Sequence, residues 1–286
     1  MMHKEKPSRT ACKVALNIIT LGVKDGMEKI LPPGIVEATE KLLLASEATR
    51  PGFVKWANSQ RAVSIYEKFD WMMPGQFEAF AYRKAFCEKQ VIDAINEGAT
   101  QVLVLGAGYD TMGWRLAPKY PEVKFFEIDH PATATLKAKG IKMMGERKNL
   151  HLIAEDLGKS KLEDVLNASE FWNTNAKSLI IAEGLLEYLT PEAVRDLFNQ
   201  CNLVTDSGSR IAFTFIPTGS DGKPDAGPKT KLVLWILKMG GEPWLWSISP
   251  EDIGSFLEDL GWEYKSDLLE SKERHGVEFY GVAEKE

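Results

Sequence analysis

The feature that most constrains the fold is a series of short apolar runs that alternate with helical stretches. Five runs have the length of buried strands, at residues 101–105, 123–128, 151–154, 178–182 and 210–216. Continuous apolar runs are typical of parallel strands, because helices cover such strands on both faces. The alternation therefore predicts an α/β fold with a doubly wound, mostly parallel sheet.

The two ends of the chain depart from this pattern. Residues 1–75 are helical in character but are interrupted by proline-glycine pairs, so we expect a helical N-terminal cap. The main domain then covers residues 76–286. Within it, β-like runs at 262–268 and 277–283 predict a terminal antiparallel hairpin.

Composition excludes several classes of function. The formal net charge is −6, and no basic patch offers a grip on a nucleic-acid backbone. The three scattered cysteines indicate free thiols, and the four histidines have no metal-ligand spacing. We therefore expect a cytoplasmic protein with no metal, no nucleic-acid partner and no membrane partner. The oligomeric state is left open.

A glycine-rich turn follows the first predicted strand. The sequence LGAGYDT at 105–111 contains Gly106 and Gly108, where a missing side chain lets a nucleotide-like ligand approach the backbone. Asp129 ends the second predicted strand, where an acid accepts hydrogen bonds from ribose hydroxyls in doubly wound folds. The two motifs together indicate a nucleotide-like cofactor.

Both motifs fit NAD as well as S-adenosylmethionine. The residues at the end of the turn distinguish in part between these two cofactors. Thr111 occupies the third glycine position, so the dinucleotide fingerprint is broken. Asp110 would repel a pyrophosphate, whereas S-adenosylmethionine has no phosphate and carries a sulfonium and an ammonium group. S-adenosylmethionine is the predicted cofactor, and an NAD-dependent oxidoreductase is the alternative.

Acidic residues also follow the third and fourth predicted strands. Asp156, in the sequence EDL at 155–157, is placed where a carboxylate can accept a hydrogen bond from an adenine amino group. Glu183 and Gly184 directly follow the fourth predicted strand, where a doubly wound sheet has its ligand-binding crevice.

In this order, the motifs LGAGYDTMGWRL, FFEIDHP, EDL and AEGLLEYLTPEAV resemble the leucine carboxyl methyltransferase-like family. They are most similar to its bacterial branch of S-adenosylmethionine-dependent methyltransferases. The resemblance covers residues 83–201 well and the two ends loosely. It implies a class I methyltransferase (Rossmann-like) fold with a helical cap, and methyl transfer to an oxygen, with a carboxylate as the expected acceptor.

The resemblance also implies a set of cofactor-binding residues, which are Arg83, Gly106, Gly108, Asp129, Asp156, Leu157 and Glu183. Arg83 would hold the methionine carboxylate and Glu183 would face the ammonium group, as opposite ends of a clamp. Asp129 would hold the ribose. Asp156 and Leu157 would frame the adenine.

No catalytic residue is assigned, because a carboxylate is ionised near neutral pH and needs no general base. A hydroxyl acceptor would need one, and His130 and Tyr188 are the candidates. The expected acceptor is a carboxylate on a small molecule or peptide. A protein that binds the cofactor without catalysis is a third hypothesis.

A lid over the acceptor pocket is predicted as an insertion at 217–249. Its polar beginning, residues 217–224, would act as a hinge, and the apolar run 232–239 would close the pocket together with the N-terminal helix. Tyr188 and Trp235 are the predicted substrate contacts.

Overall fold

A computed structural model describes residues 7–266 and 276–286, and it shows a seven-stranded sheet. The strands are β1 Gln101–Leu105, β2 Lys124–Asp129, β3 Leu150–Ala154, β4 Ser178–Ala182, β5 Arg210–Phe215, β6 Trp262–Tyr264 and β7 Phe279–Lys285. Their order is β3-β2-β1-β4-β5-β7-β6. Strands β1 to β5 are parallel, whereas β7 is antiparallel to both of its neighbours. The predicted fold class is confirmed.

Helices precede the sheet and fill the connections between its strands. They are α1 Arg9–Leu21, α2 Ile35–Ala45, α3 Pro51–Ala57, α4 Gln60–Phe69, α5 Gln76–Asn96, α6 Met112–Leu116, α7 Pro131–Met144, α8 Leu162–Asn167, α9 Pro191–Leu203, α10 Thr230–Gly240 and α11 Ile253–Glu258. Helices α1 to α4 occupy the region predicted to be a helical cap.

Successive strand residues point to opposite sides of the sheet, and helices cover both sides. Leu103 and Leu105 of β1 belong to a core with residues of α8, α9 and α11. Val102 and Val104 belong to a second core with residues of α5 and α6. Every residue of β1 and β4 is buried, which explains why their sequences are apolar runs without alternation.

The first helix packs against the glycine turn. Ala15 and Ile19 of α1 share a buried cluster with Tyr109, which lies in the turn after β1. Helix α1 also contacts α2 and α5, and α2 contacts α7. The N-terminal helices are therefore held on the sheet domain next to the point where its parallel strands end.

The C-terminal hairpin is present, with a first strand shorter than the predicted run and a second strand shifted by two residues. Strand β6 ends at Tyr264, and Lys265 N then donates to Val282 O at 2.9 Å. Leu268 and the polar connection at 272–275 lie outside the described residues. Across the part of the chain that is described, no helix is both long and apolar enough to cross a membrane.

Candidate active site

A cavity of about 330 Å³ opens where β1, β2, β3 and β4 end. Each residue that the sequence assigns to the cofactor lines this cavity, namely Arg83, Gly106, Gly108, Asp129, Asp156, Leu157 and Glu183. Tyr188 lines it as well. Helix α1 forms part of the opposite wall through Ala11, Val14 and Ile18. The topology thus brings together side chains from six separate segments, although their contacts to a cofactor stay predictions.

The glycine turn requires its glycines. Gly106 and Gly108 have φ angles of +63° and +48°, in the left-handed region that side chains disfavour. A Cβ at Gly106 would lie 3.0 Å from a methyl of Leu185, and one at Gly108 would lie 3.0 Å from Cβ of Ala11. Packing against these two neighbours is therefore a reason for the glycines that the sequence did not reveal.

Asp129 fixes this turn to the end of β2. Its Oδ2 accepts a hydrogen bond from Gly108 N at 2.6 Å. Burial raises the pKa of the Asp129 carboxyl, and the Gly108 hydrogen bond acts in the opposite direction. Asp129 is thus placed by the same turn that it supports, with its side chain at the cavity wall.

An acid–base cluster lies beside the turn and consists of Arg83, Lys84, Asp110, Glu183 and Glu278. Arg83 Nε donates to Glu183 Oε1 at 2.8 Å, and Arg83 Nη1 donates to Glu278 Oε1 at 2.6 Å. Lys84 Nζ donates to Glu183 Oε2 at 2.9 Å and to Asp110. Arg83 and Glu183 therefore pair directly with each other in this structure, and their action as opposite ends of a clamp on the cofactor stays a prediction.

The cluster holds most of its groups in their charged forms. Burial acts to raise the pKa of Asp110, but the ammonium groups of Lys84 and Lys137 outweigh burial and lower that pKa. Glu187 lies close by and behaves differently. Burial, reinforced by the charge of Glu278, raises the pKa of Glu187 to about 8.

Neither candidate for a general base is arranged as one. His130 caps α7, because its Nδ1 accepts a hydrogen bond from Ala132 N at 3.3 Å. A neutral imidazole with that nitrogen engaged carries its proton on the other nitrogen and has no free acceptor. Burial raises the pKa of the Tyr188 phenol, which stays protonated.

The acids after β3 are tied to their own loop. Asp156 Oδ1 accepts from Gly158 N at 3.1 Å, and Asp156 Oδ2 lies 2.8 Å from Lys159 Nζ. The hydrogen bond from Lys159 lowers the pKa of Asp156. This loop, which includes Leu157, therefore presents an ionised carboxylate at the cavity edge.

Trp235, the second predicted substrate contact, lies outside the cavity in this structure. The side chain lies on α10, is largely exposed, and is not among the residues that line the cavity. The part of the 217–249 segment that does reach the cavity is Glu242. Its carboxylate accepts a hydrogen bond from the hydroxyl of Thr10 in the first turn of α1.

Further contacts hold the chain after α10 in place. Leu245 N and Trp246 N donate to the backbone oxygen of Glu187 at 2.6 and 3.3 Å. Burial raises the pKa of Glu242.

Sequence reasoning missed Glu242 and Glu278, and a single sequence offers no signal for them because they come from segments remote from the motifs.

Charge is the property of the cavity that most restricts its ligand. The described lining residues include seven carboxylates, which are Asp110, Asp129, Glu155, Asp156, Glu183, Asp196 and Glu242. Against these stand the cations of Arg83 and Lys84, each already paired with acids. A cationic ligand is favoured here and a pyrophosphate is disfavoured, since like charges in a partly buried site repel.

Comparison with known proteins agrees with this geometry. The family described as Leucine carboxyl methyltransferase matches residues 24–202. A relative from Mycobacterium ulcerans, named "Putative S-adenosyl-L-methionine-dependent methyltransferase", is 33% identical over 170 residues, which are 58% of this chain and 54% of that protein. A Mycobacterium marinum relative with the same name is 27% identical and covers 74% of this chain and 70% of its own length.

Among solved structures, one described as a "putative methyltransferase" from Thermobifida fusca shares the fold. Its TM-score is 0.58 at 16% identity, and the match covers 89% of this chain and 98% of that one. The alignment with the Mycobacterium ulcerans relative spans only about half of that relative's length. The family match extends over more than half of this chain and includes the glycine turn and every strand-end acid named above. This chain belongs to the leucine carboxyl methyltransferase family.

Proposed function

We propose that this chain transfers the methyl group of S-adenosylmethionine to a carboxylate oxygen of a small molecule or peptide. The observation that supports this proposal most strongly is the acid-rich cavity at the strand ends, next to a glycine turn that contains Asp110. Membership of the family and the names of the curated relatives support the same cofactor. The bound cofactor would supply the activated methyl group, and the chain would supply position and electrostatics.

The cavity residues fit roles in holding that cofactor. Asp129, placed by Gly108, is available to accept hydrogen bonds from the ribose, and Asp156 with Leu157 borders the space for the adenine. Arg83 and Lys84 orient Glu183 from two sides, so that its negative charge stays fixed at the cavity wall. A fixed carboxylate stabilises an ammonium or sulfonium group without reorganising at the moment of reaction.

The carboxylate acceptor is supported by the family match, and the sulfonium charge of the bound cofactor would attract such an anion within the acid-rich cavity. The two places where the sequence suggested a base do not oppose this assignment. His130 caps a helix and Tyr188 stays protonated, as described above. A carboxylate acceptor is ionised near neutral pH, so no proton has to be removed before methyl transfer. Apolar side chains of α1, including Val14 and Ile18, border the same space and help to keep water from it.

The test uses S-adenosylmethionine that carries a labelled methyl group, incubated with the protein and a metabolite extract. We expect label to enter an acceptor, and we expect mild alkali to release it as methanol, because a methyl ester hydrolyses under conditions that leave a methyl ether intact. Label that resists alkali would exclude a methyl ester and with it the carboxylate acceptor. Absence of transfer, together with bound NAD, would favour the oxidoreductase alternative.

A further inference from the structure

Helix α10 exposes an apolar face that the cavity does not use. Leu232, Trp235, Ile236 and Met239 are 39%, 59%, 43% and 72% exposed. Positions separated by three, four and seven residues lie on one side of a helix, so these residues form a single stripe, here called the α10 stripe. The opposite side of α10 is anchored, because Val233 is buried and Leu237 packs in the same small cluster.

Lysines border the α10 stripe on both sides. Lys229, Lys231 and Lys238 are exposed, and α10 contains no acidic residue. At about 100° per residue, Lys229 projects on one side of the stripe and Lys231 and Lys238 on the other. A local group of three cations around an apolar stripe is notable in a chain whose net charge is −6.

A second segment packs against the cluster that anchors α10, through Met72 and Met73. Trp71 comes directly before Met72 in the chain, Phe69 lies three residues before Met72, and both aromatic residues are exposed. Exposed aromatic side chains are therefore present both on α10 and in the chain segment that leads to Met72.

We infer that the α10 stripe docks on the surface of an anionic lipid bilayer, with the helix lying in the plane of the interface. An apolar stripe bordered by lysines is the pattern of helices that insert one face among lipid headgroups. The lysine stems can extend along apolar surface while their ammonium groups meet lipid phosphates. The aromatic rings suit the same boundary.

Charge argues against a second copy of the chain as the occupant. In a two-fold contact the same patch faces itself, so lysines that border one stripe would approach those that border the other. No acid on α10 is available to pair with them. An anionic bilayer would neutralise all three lysines and bury the α10 stripe at the same time.

The inference goes beyond the proposed function and revises one sequence expectation. A membrane partner was not expected because no segment is long enough to span a bilayer, but a surface-bound helix needs no spanning length. Glu242 follows α10 closely and lines the cavity. A docked α10 would therefore bring lipid close to the wall of the proposed active site.

The test is flotation of the whole protein with vesicles of phosphatidylcholine alone and of phosphatidylcholine with phosphatidylglycerol. We expect binding to the anionic vesicles and little binding to the neutral ones. Replacing Lys229, Lys231 and Lys238 by Gln should lower the partition coefficient about 100-fold, at roughly one kcal/mol for each lysine. Trp235→Ser should lower it about tenfold.

The matched control replaces Lys41, Lys142 and Lys148 by Gln, which removes the same charge from exposed sites outside α10. This variant should float like the wild type. Cooperative thermal unfolding of every variant shows that a loss of binding is not a loss of fold. In vesicles with brominated acyl chains, Trp235→Phe should keep binding but lose part of the tryptophan quenching.

Three results would overturn the inference. One is absence of flotation with anionic vesicles. Another is flotation that both α10 variants leave unchanged. The third is a concentration-dependent dimer, abolished by Trp235→Ser, in a protein that does not float, which would assign the stripe to a second copy. None of these measurements depends on turnover, so failure here leaves the proposed methyl transfer untouched.

Discussion

Arg83 Nε lies 2.8 Å from Glu183 Oε1, which joins helix α5 to the end of β4 at the cavity wall. Both side chains are almost completely buried, and the second face of the guanidinium fork is taken by Glu278. Together with Glu278, the pair connects three segments of the chain at the place where the cofactor is proposed to bind. We therefore expect the pair to stabilise the fold as well as to take part in binding.

Arg83→Ala should destabilise the chain strongly. Removing one partner of a buried ion pair leaves the other charges uncompensated, which costs about 3–5 kcal/mol. Urea unfolding measures this loss, and cofactor affinity should fall with it. The control is Lys139→Ala, which breaks an exposed pair with Glu47 and should cost about 1 kcal/mol or less. An Arg83→Ala variant with wild-type stability and affinity would show that the pair has neither role.

Asp129→Ala should weaken cofactor binding in a chain that still folds. The carboxylate is proposed to accept hydrogen bonds from ribose hydroxyls, and each charge-assisted bond lost costs about 1.5–3 kcal/mol of binding. Calorimetric titration measures the change. Asp206→Ala removes an exposed carboxylate from a loop away from the cavity and should leave affinity unchanged. Equal affinity of the Asp129 variant and the wild type would remove this residue from the site.

The sequence predicted the sheet well because its signals are local. Residues 101–105 and 178–182 form strands with the predicted bounds, since burial on both faces gives each an uninterrupted apolar run. The glycine turn and Asp129 were predicted from local signals as well, because each stands at the end of an apolar run that the sequence shows. The third and fifth strands differ from the prediction by one residue at one end.

The rest of the site depends on long-range contacts. Glu278 reaches Arg83 across 195 positions of the chain, and Glu242 reaches Thr10 across 232. No local pattern encodes either pairing. Trp235 shows another limit of the sequence: residues 232–237 are all apolar, so their sequence could not show which side of the helix is buried.

The stability of the chain should depend on the ionisation of Glu187. Its pKa is raised to about 8 in the folded state from an ordinary value of 4.5, so between these values the folded state binds more protons than the unfolded chain. Stability contributed by the protonated group is then lost as pH rises through this window. Glu187→Gln keeps the shape and cannot ionise.

Urea unfolding at pH 5, 6.5 and 8 tests this dependence as a difference between the two proteins. We expect the variant to gain stability relative to the wild type as pH rises, by roughly one to a few kcal/mol. Glu170→Gln, at an exposed site, should show no such trend. A difference between Glu187→Gln and wild type that is constant with pH would contradict the shifted pKa.

The lid hypothesis now depends on Glu242 and no longer on Trp235. Glu242→Ala removes the hydrogen bond to Thr10 and should speed proteolytic cleavage between Gly219 and Gly227, because the segment after α10 loses a contact with α1. Cofactor or its demethylated product should slow this cleavage in the wild type. Trp235→Ala should leave turnover in solution unchanged, since its side chain lies outside the cavity. Cleavage that responds neither to ligand nor to Glu242→Ala would exclude a lid.

The most direct test of the central claim is calorimetric titration of the purified chain with S-adenosylmethionine, its demethylated product and NAD. The acid-rich cavity and the turn with Asp110 and Thr111 predict saturable binding of the first two and none of NAD. The sulfonium charge should make S-adenosylmethionine at least as tight a ligand as the product at low ionic strength. Binding of NAD, with none of S-adenosylmethionine, would contradict the proposed function.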